Sequence, residues 1–259
     1  MADIVKRERR GRVLEVTLDR PKANAFDAAT SREIARAFVE FREDPELWVA
    51  ILTGTGRFFS AGWDLNAAAA GEDGSNADYG EGGFAGLTEN YALNKPVIGA
   101  VNGYAFGGGF EIALACDILV ASTEASFALS EVNVGLIATG GGIIHLPQRI
   151  PRAVAHEMLY TGRRMNAEEA LRVGLVSRVV EPEALMDAAR EIAADILSSA
   201  PLAVQAVKSI LRDIDGLDAK AAYAAQEVNP EANSLLASED AAEGPRAFTE
   251  KRPPIWKAR

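Results

Sequence analysis

Apolar and polar positions alternate through VLEVTLDR (13–20), the period of a half-buried strand. TSREIARAFVEFRED follows with the three-to-four period of an amphipathic helix, and Thr30 or Ser31 is its N-cap candidate. VAILTG (49–54) and VIGAVNG (97–103) are short unbroken apolar runs, the pattern of buried strands. The second follows Pro96 and ends at Gly103. FFSAGWDL (58–65) reads as a turn feeding a short helix, and GGGFEIALAC (107–116) opens another helix. DILVAS predicts a strand and SFALS a shorter one. GGIIHLPQRI and PRAVAHEMLYTG are helical, the second starting after Pro151. AEEALRVG is a short helix stopped by Gly174, and LVSRVV is a last strand. From Pro182 the pattern is helical to about Tyr223, and a less regular tail ends in RPPIWKAR. NAAAAGEDGSNADYGEGGFAG (66–86) offers little to a core, and loops of that length are usually functional.

Strands and helices thus alternate to about residue 181, and helices dominate afterwards. This predicts an α/β core of crossover units with a helical C-terminal part. The composition shifts near Ala200 and Pro201, giving an expected core over 1–200 and an expected helical region over 201–259. The 259 residues are 48% hydrophobic, enough for a packed core. The net charge of −10 argues against nucleic acid as the main partner. The start of the chain lacks the apolar region of a secretory signal, and no apolar stretch is long enough to span a membrane. The lone Cys116 lies in an apolar run and reads as a buried thiol of a cytoplasmic protein. With only His145 and His156 beside it, no metal site is expected.

NGYAFGGGFE (102–111) is where candidate chemistry gathers. The glycines sit where a strand ends and a helix begins, and unpaired N–H groups and a positive dipole end suit an anionic oxygen there. Neither GxGxxG nor GxxxxGK[ST] is present, so a phosphate cradle has no motif behind it. An oxyanion hole and a tight packing turn both remain open readings. Glu111 adds to the first. Its neighbours three and four positions away are Gly107, Gly108, Leu114 and Ala115, so burial should raise its pKa toward general acid–base use. Glu131, in SFALSEVNVGL, is a second carboxylate that a returning strand can bring to the start of the same helix. FFSAGWDL is a candidate second loop of N–H donors.

Taken together and in order, RPKANA, FFSAGWDL, KPVIGAVNGYAFGGGFE, SFALSE and YTGRR…AEEALRVGLV resemble the crotonase, or enoyl-CoA hydratase/isomerase, family. The resemblance runs from about Val13 to the C-terminus. It implies a crotonase-like spiral of ββα units, a helical C-terminal trimerisation region and an acyl-CoA thioester substrate, with no cofactor. It implies an oxyanion hole made by the N–H groups of Trp63 and Gly108, and catalytic carboxylates at Glu111 and Glu131. By the same matching, Lys22, Ala23 and Ala25 lie along the pantetheine and phosphate of CoA. Ala61, Asp64 and Leu65 match the adenine-side contacts, and Phe248 and Lys251 match a C-terminal segment that reaches CoA, often from a neighbouring subunit. The expected assembly is a homotrimer or a dimer of trimers.

Both glutamates together favour adding or removing water. SAGWDL, the loop ending GEGGFAGLTE and the C-terminal SEDAAEGPRAFTEKRPPIWKAR resemble the branch that interconverts L-carnitinyl-CoA and crotonobetainyl-CoA. That branch needs room for a trimethylammonium group. Trp63, Phe84, Tyr91 and Phe106 are the aromatic candidates, and Glu72, Asp73, Asp78 and Glu81 are acidic ones. A generic 2-enoyl-CoA hydratase and an enoyl-CoA isomerase are the alternatives. The sequence departs from the family at Ser130, where proline is frequent, and at IATGGG (137–142), where a Pro-Asp-Ser-Gly-Gly-like turn is frequent.

Overall fold

In the computed structural model, which describes residues 4–69 and 77–259, the apolar runs become the inner strands of a six-stranded sheet. Strands β2 (Val13–Leu18), β3 (Val49–Gly54), β5 (Val97–Val101), β7 (Ile118–Ser122) and β10 (Arg178–Val180) lie parallel in that order. Strand β1 (Val5–Arg10) closes one edge, antiparallel to β2. Its sequence, VKRERR, buries only Val5 and carries no apolar alternation, which is why the pattern did not predict it. Charged side chains on an edge strand discourage pairing with another chain. Here they also reach helix α1 (Ala28–Glu43), where Arg7 pairs with Glu40.

A second sheet holds β4 (Phe58–Ser60), β6 (Tyr104–Phe106) and β8 (Ser126–Ala128) in parallel, with β9 (Met165–Asn166) antiparallel to β8. The chain visits the sheets alternately: β3 then β4, β5 then β6, β7 then β8. Helix α2 (Leu65–Ala69) follows the first pair and α3 (Gly108–Ala115) the second. After the third comes a single 3₁₀ turn over Glu131–Val134, then α4 (Gly142–Arg149). This is the expected spiral of ββα units. Strands β4 and β6 are only three residues long, β4 inside a segment that reads as a turn and β6 between an expected strand and an expected helix.

Helix α1 begins earlier than its sequence suggested. Asp27 is the N-cap, accepting the Thr30 N–H at 2.7 Å, while Thr30 and Ser31 are buried within the first turns. Helices α5 (Arg152–Thr161) and α6 (Ala167–Arg172) precede β10, and α7 (Leu185–Leu197) follows it. The C-terminal part is more helical than expected. Beyond α8 (Pro201–Asp213) come α9 (Ala219–Val228), α10 (Pro230–Leu236) and α11 (Glu239–Glu250), well past Tyr223. Asp218, Asn229 and Ser238 cap the last three, each accepting the N–H three residues on. Helices α9 and α10 bury no residue within this chain, so they lack the apolar stripe that marks a helix in sequence.

One apolar cluster, with Phe26, Phe38, Phe59, Phe110 and Phe127, fills the space between the two sheets and the helices. Another covers the far face of the large sheet, where Ile51, Ile98 and Val120 meet Leu185 and Ala189 of α7 and the ring of Trp256. Cys116 is buried at the end of α3, and burial pushes its thiol up to about 12, leaving it unreactive. Among the described residues no helix is long and apolar enough to cross a membrane, and no group of three metal-ligating side chains occurs.

Candidate active site

Each of the three glycines before Glu111 meets a separate constraint. Gly107 has φ 53° and ψ −128°, a conformation closed to residues with a Cβ. A Cβ on Gly108 would lie 2.4 Å from the ring of Phe84, and one on Gly109 would lie 2.0 Å from the carbonyl oxygen of Ser60. The Gly107 N–H donates to Ala128 O at 2.8 Å, which ties the glycines to the end of β8.

The turn after β4 faces them. Phe26 donates to Gly62 O and accepts from the Asp64 N–H, both at 2.7 Å. This bridge pairs Phe26 with Trp63 and leaves the Trp63 N–H pointing the opposite way. Gly62 has φ +83°, and a Cβ on it would lie 2.5 Å from the nitrogen of Gly108. The two backbone segments are therefore in contact. Among the described residues no acceptor takes the N–H of Trp63 or of Gly108.

Glu111 sits in the first turn of α3 and is 4% exposed. Burial raises its carboxyl to about 7, and the charge of Glu131 adds to the rise; the amides of Gly142 and Gly140 oppose it. The Gly142 N–H donates to Oε1 at 2.9 Å. Glu131 begins the 3₁₀ turn rather than ending a strand, since β8 stops at Ala128. Its Oε1 lies against Gly107, 3.2 Å from where a Cβ there would be. Its Oε2 is buried without a hydrogen-bond partner among the described residues. Burial raises this carboxyl as well, and no basic side chain offsets the rise at either glutamate. With both carboxyls raised, and Glu111 raised further by the charge of Glu131, one can hold a proton while the other is ionised, the condition for one to act as acid while the other acts as base. The two open N–H groups can stabilise an oxygen that becomes negative beside them.

Six of the residues matched to CoA come together on two adjoining loops. Ala61 N–H donates to Ala23 O at 2.9 Å, and Ser60 Oγ donates to Asn24 O at 2.7 Å. Arg20 holds the pair of loops, reaching Asp27, Asp64 and the carbonyl of Ala25, each at 2.8 Å. Lys22 and Leu65 are exposed beside Ala23, Ala25, Ala61 and Asp64. Phe248 and Lys251 stand apart at the end of α11, both exposed, and no hydrogen bond or ring contact in the described residues joins them to these loops.

Of the four aromatic candidates, the structure brings Trp63 and Phe84 together. Tyr91 is 67% exposed elsewhere, and Phe106 stacks on Tyr104 in the second sheet. Tyr79, which the sequence reading passed over, completes the group with Trp63 and Phe84. Of the acidic candidates, Glu81 pairs with Arg42 and Asp78 accepts the Gly80 N–H, while Glu72 and Asp73 fall outside the described residues. The glycines of IATGGG were the other omission. A Cβ on Gly140 would lie 2.7 Å from Glu111 Oε2 and one on Gly142 3.1 Å from Oε1, so this loop cradles the buried carboxylate. A second glycine triplet near two isolated glutamates was the available signal.

The enoyl-CoA hydratase/isomerase family model matches residues 8–259. The chain belongs to the enoyl-CoA hydratase/isomerase family. As a member of it, the chain is an enzyme of the hydro-lyase type. A carnitinyl-CoA dehydratase from Citrobacter koseri is 56% identical over the whole of both chains. An enoyl-CoA hydratase structure from Mycobacterium tuberculosis superposes with a TM-score of 0.91 at 43% identity, covering 99% of each chain. A carnitinyl-CoA hydratase structure from Mycobacterium avium gives 0.78 at 44% identity over all of both. The hydratase/isomerase fold is thus shared along the full length, including the helical C-terminal part.

Proposed function

We propose that this enzyme reversibly removes water from a 3-hydroxyacyl-CoA, and that the acyl group is L-carnitinyl, giving crotonobetainyl-CoA. The observation that carries the reaction is the coupled pair Glu111 and Glu131 beside two unpaired amide N–H groups. In dehydration, ionised Glu131 accepts the proton α to the thioester. The electron pair moves onto the thioester oxygen, where the N–H groups of Trp63 and Gly108 hold the enolate. Each such donor is worth roughly 3–4 kcal/mol in the transition state. The enolate then collapses to the α,β double bond as protonated Glu111 gives its proton to the departing β-hydroxyl, releasing water. The pair ends with its proton on Glu131, ready for the reverse reaction. No cofactor enters these steps.

The acyl group rests on the relatives named for carnitinyl-CoA, at 55–56% identity over their full length. An uncharged 2-enoyl-CoA is the competing substrate, favoured by the higher TM-score of the M. tuberculosis enoyl-CoA hydratase. Steady-state turnover of crotonobetainyl-CoA against crotonyl-CoA decides between them, and a strong preference for crotonyl-CoA would rule out the carnitinyl reading. If Glu111→Gln and Glu131→Gln both kept near-normal turnover, the catalytic assignment itself would fail.

Lys22, Ala23, Ala25, Ala61, Asp64 and Leu65 would line CoA in this reading, with Phe248 and Lys251 supplied by a neighbouring subunit. A homotrimer, or a dimer of trimers, fits the exposed Leu136, Ile137 and Ile144 near the site and Val228 and Leu236 on α9 and α10, and the cytoplasm is the proposed location. Light scattering after size exclusion tests the assembly, and a monomer at working concentration would refute it.

A further inference from the structure

Trp63, Tyr79 and Phe84 form a triangle of rings with centroid separations of 5.9, 5.4 and 6.3 Å. The plane of Tyr79 stands at 86° to Trp63 and 89° to Phe84, and those two are tilted by 48°. All three are only partly buried, whereas Phe26, which backs Phe84 at 5.8 Å, is 1% exposed. Three partly open aromatic rings set at large mutual angles are a costly surface to leave beside a reaction centre. We propose that these rings are the subsite that reads a quaternary ammonium on the acyl group, with Tyr79 and Phe84 setting the preference for a cationic over a neutral acyl chain. The inference rests on the carnitinyl reading and deepens it.

The distances suit such a guest. A triangle with these sides has a circumradius of about 3.4 Å, so a cation up to roughly 5 Å above its centre lies within ~6 Å of all three centroids, the distance limit for attraction to a ring face. The position suits it as well. The trimethylammonium nitrogen is two bonds from the β-carbon, so its binding group must adjoin the carboxylates. The ring of Phe84 does so, since Cβ atoms on Gly108 and Gly140 would lie 2.4 and 2.9 Å from it, and a Cβ on Gly140 would also touch Glu111. The charge is also complementary, because no basic side chain acts on Glu111 or Glu131.

Among the described residues the chemistry points to the rings. A quaternary ammonium has no N–H to donate, so only charge and surface can recognise it. Of the loop acids among the described residues, Glu81 is held by Arg42 and Asp78 by the Gly80 N–H. The rings are also held in place before any substrate arrives. Gly86 fits so closely on α1 that a Cβ would lie 2.2 Å from Ala35 N, and the Ala85 N–H donates to Ser31 Oγ at 3.3 Å. Thr88 Oγ donates to Phe84 O at 2.9 Å, and Arg32 donates to Asp78 O at 2.6 Å. Such preorganisation removes the cost of ordering the loop on binding.

The test compares crotonobetainyl-CoA with its neutral isostere, in which tert-butyl replaces trimethylammonium, in the full-length wild type and in Tyr79→Leu, Phe84→Leu and Tyr79→Phe. The expected result is a wild-type preference for the cation in kcat/KM that falls about tenfold in each leucine variant, mainly through KM, and is restored by Tyr79→Phe. Leucine variants that keep the wild-type ratio, or that lose both substrates equally, overturn the subsite while the substrate reading stands. A wild type that shows no preference for the cation overturns the substrate reading itself.

Discussion

The N–H of Gly142 donates to Oε1 of Glu111 at 2.9 Å, so the carboxylate near the start of α3 also caps the start of α4. Glu111 is held by backbone amides and by no cationic side chain, which leaves its pKa near neutrality instead of driving it down. The loop that supplies these amides carries Gly140, Gly141 and Gly142.

A side chain at Gly140 should therefore disturb catalysis before it disturbs folding. Gly140→Ala and Gly142→Ala would place a Cβ 2.7 and 3.1 Å from the Glu111 carboxylate. Displacing a general acid–base group by a few tenths of an ångström should lower kcat by about 10–100-fold. A melting temperature close to wild type should accompany the loss in Gly140→Ala, whereas Gly142→Ala also meets the buried Ala138 and Leu129 at 2.8 and 2.9 Å and should lose stability as well; an unchanged kcat in both variants would refute the cradle.

The proposed mechanism fixes the pH profile. Dehydration needs Glu111 protonated and Glu131 ionised; hydration needs the reverse. Both forms carry one proton on the pair, so kcat/KM should trace the same bell in both directions. The alkaline limb should fall near 7 and the acid limb above the ordinary glutamate value of 4.5. Initial rates measured in both directions from pH 4 to 9 check this, and limbs that differ between directions would exclude a shared proton.

The same buried acid weakens the fold as pH rises. With a folded pKa of about 7 against the ordinary glutamate value of 4.5, Glu111 keeps its proton in the native chain while the unfolded chain loses it. Stability is therefore full below about 4.5 and declines toward 7, by about 3 kcal/mol for this one group. Glu111→Gln removes the dependence. In urea titrations its stability relative to wild type should rise between pH 4 and 8, and a constant difference would contradict the burial cost.

The C-terminal tail offers a prediction remote from catalysis. Trp256 donates its indole N–H to Ser198 O at 2.9 Å and packs on the α7 face of the large sheet. Asp240 accepts the N–H groups of Lys257 and Ala258, which fastens the tail to α11. Trp256→Ala should cost about 2–3 kcal/mol, less than a fully buried tryptophan because the ring is half-exposed. Differential scanning calorimetry measures it, and an unshifted Tm would show that the tail does not brace α7.

The sequence exposed the strands of the large sheet because VAILTG and VIGAVNG are buried on both faces and carry their signal in every residue. It hid β4 and β6, whose three residues are too few to show a period, and β1, whose charges face solvent. Glu111 stood out through its apolar neighbours. The proximity of Glu131 was only permitted by spacing, because the return of β8 beside β6 is a long-range pairing that local pattern does not encode. Tyr79 and the Gly140–Gly142 cradle matter through what they touch, and their partners Trp63 and Glu111 are distant in sequence.

Strands β4, β6 and β8 run parallel as neighbours in one sheet, and each releases its chain at the same end. Trp63 follows the first, Gly108 and Glu111 the second, and Glu131 the third. In the proposed mechanism, three consecutive windings of the spiral contribute separate parts to a single reaction. A substitution after β8 can remove or replace one proton carrier while the pair of amides after β4 and β6 is left intact. On that mechanism the architecture separates the holding of an enolate from the decision about what happens to it, so new reactions can arise one winding at a time without rebuilding the barrier-lowering half of the enzyme.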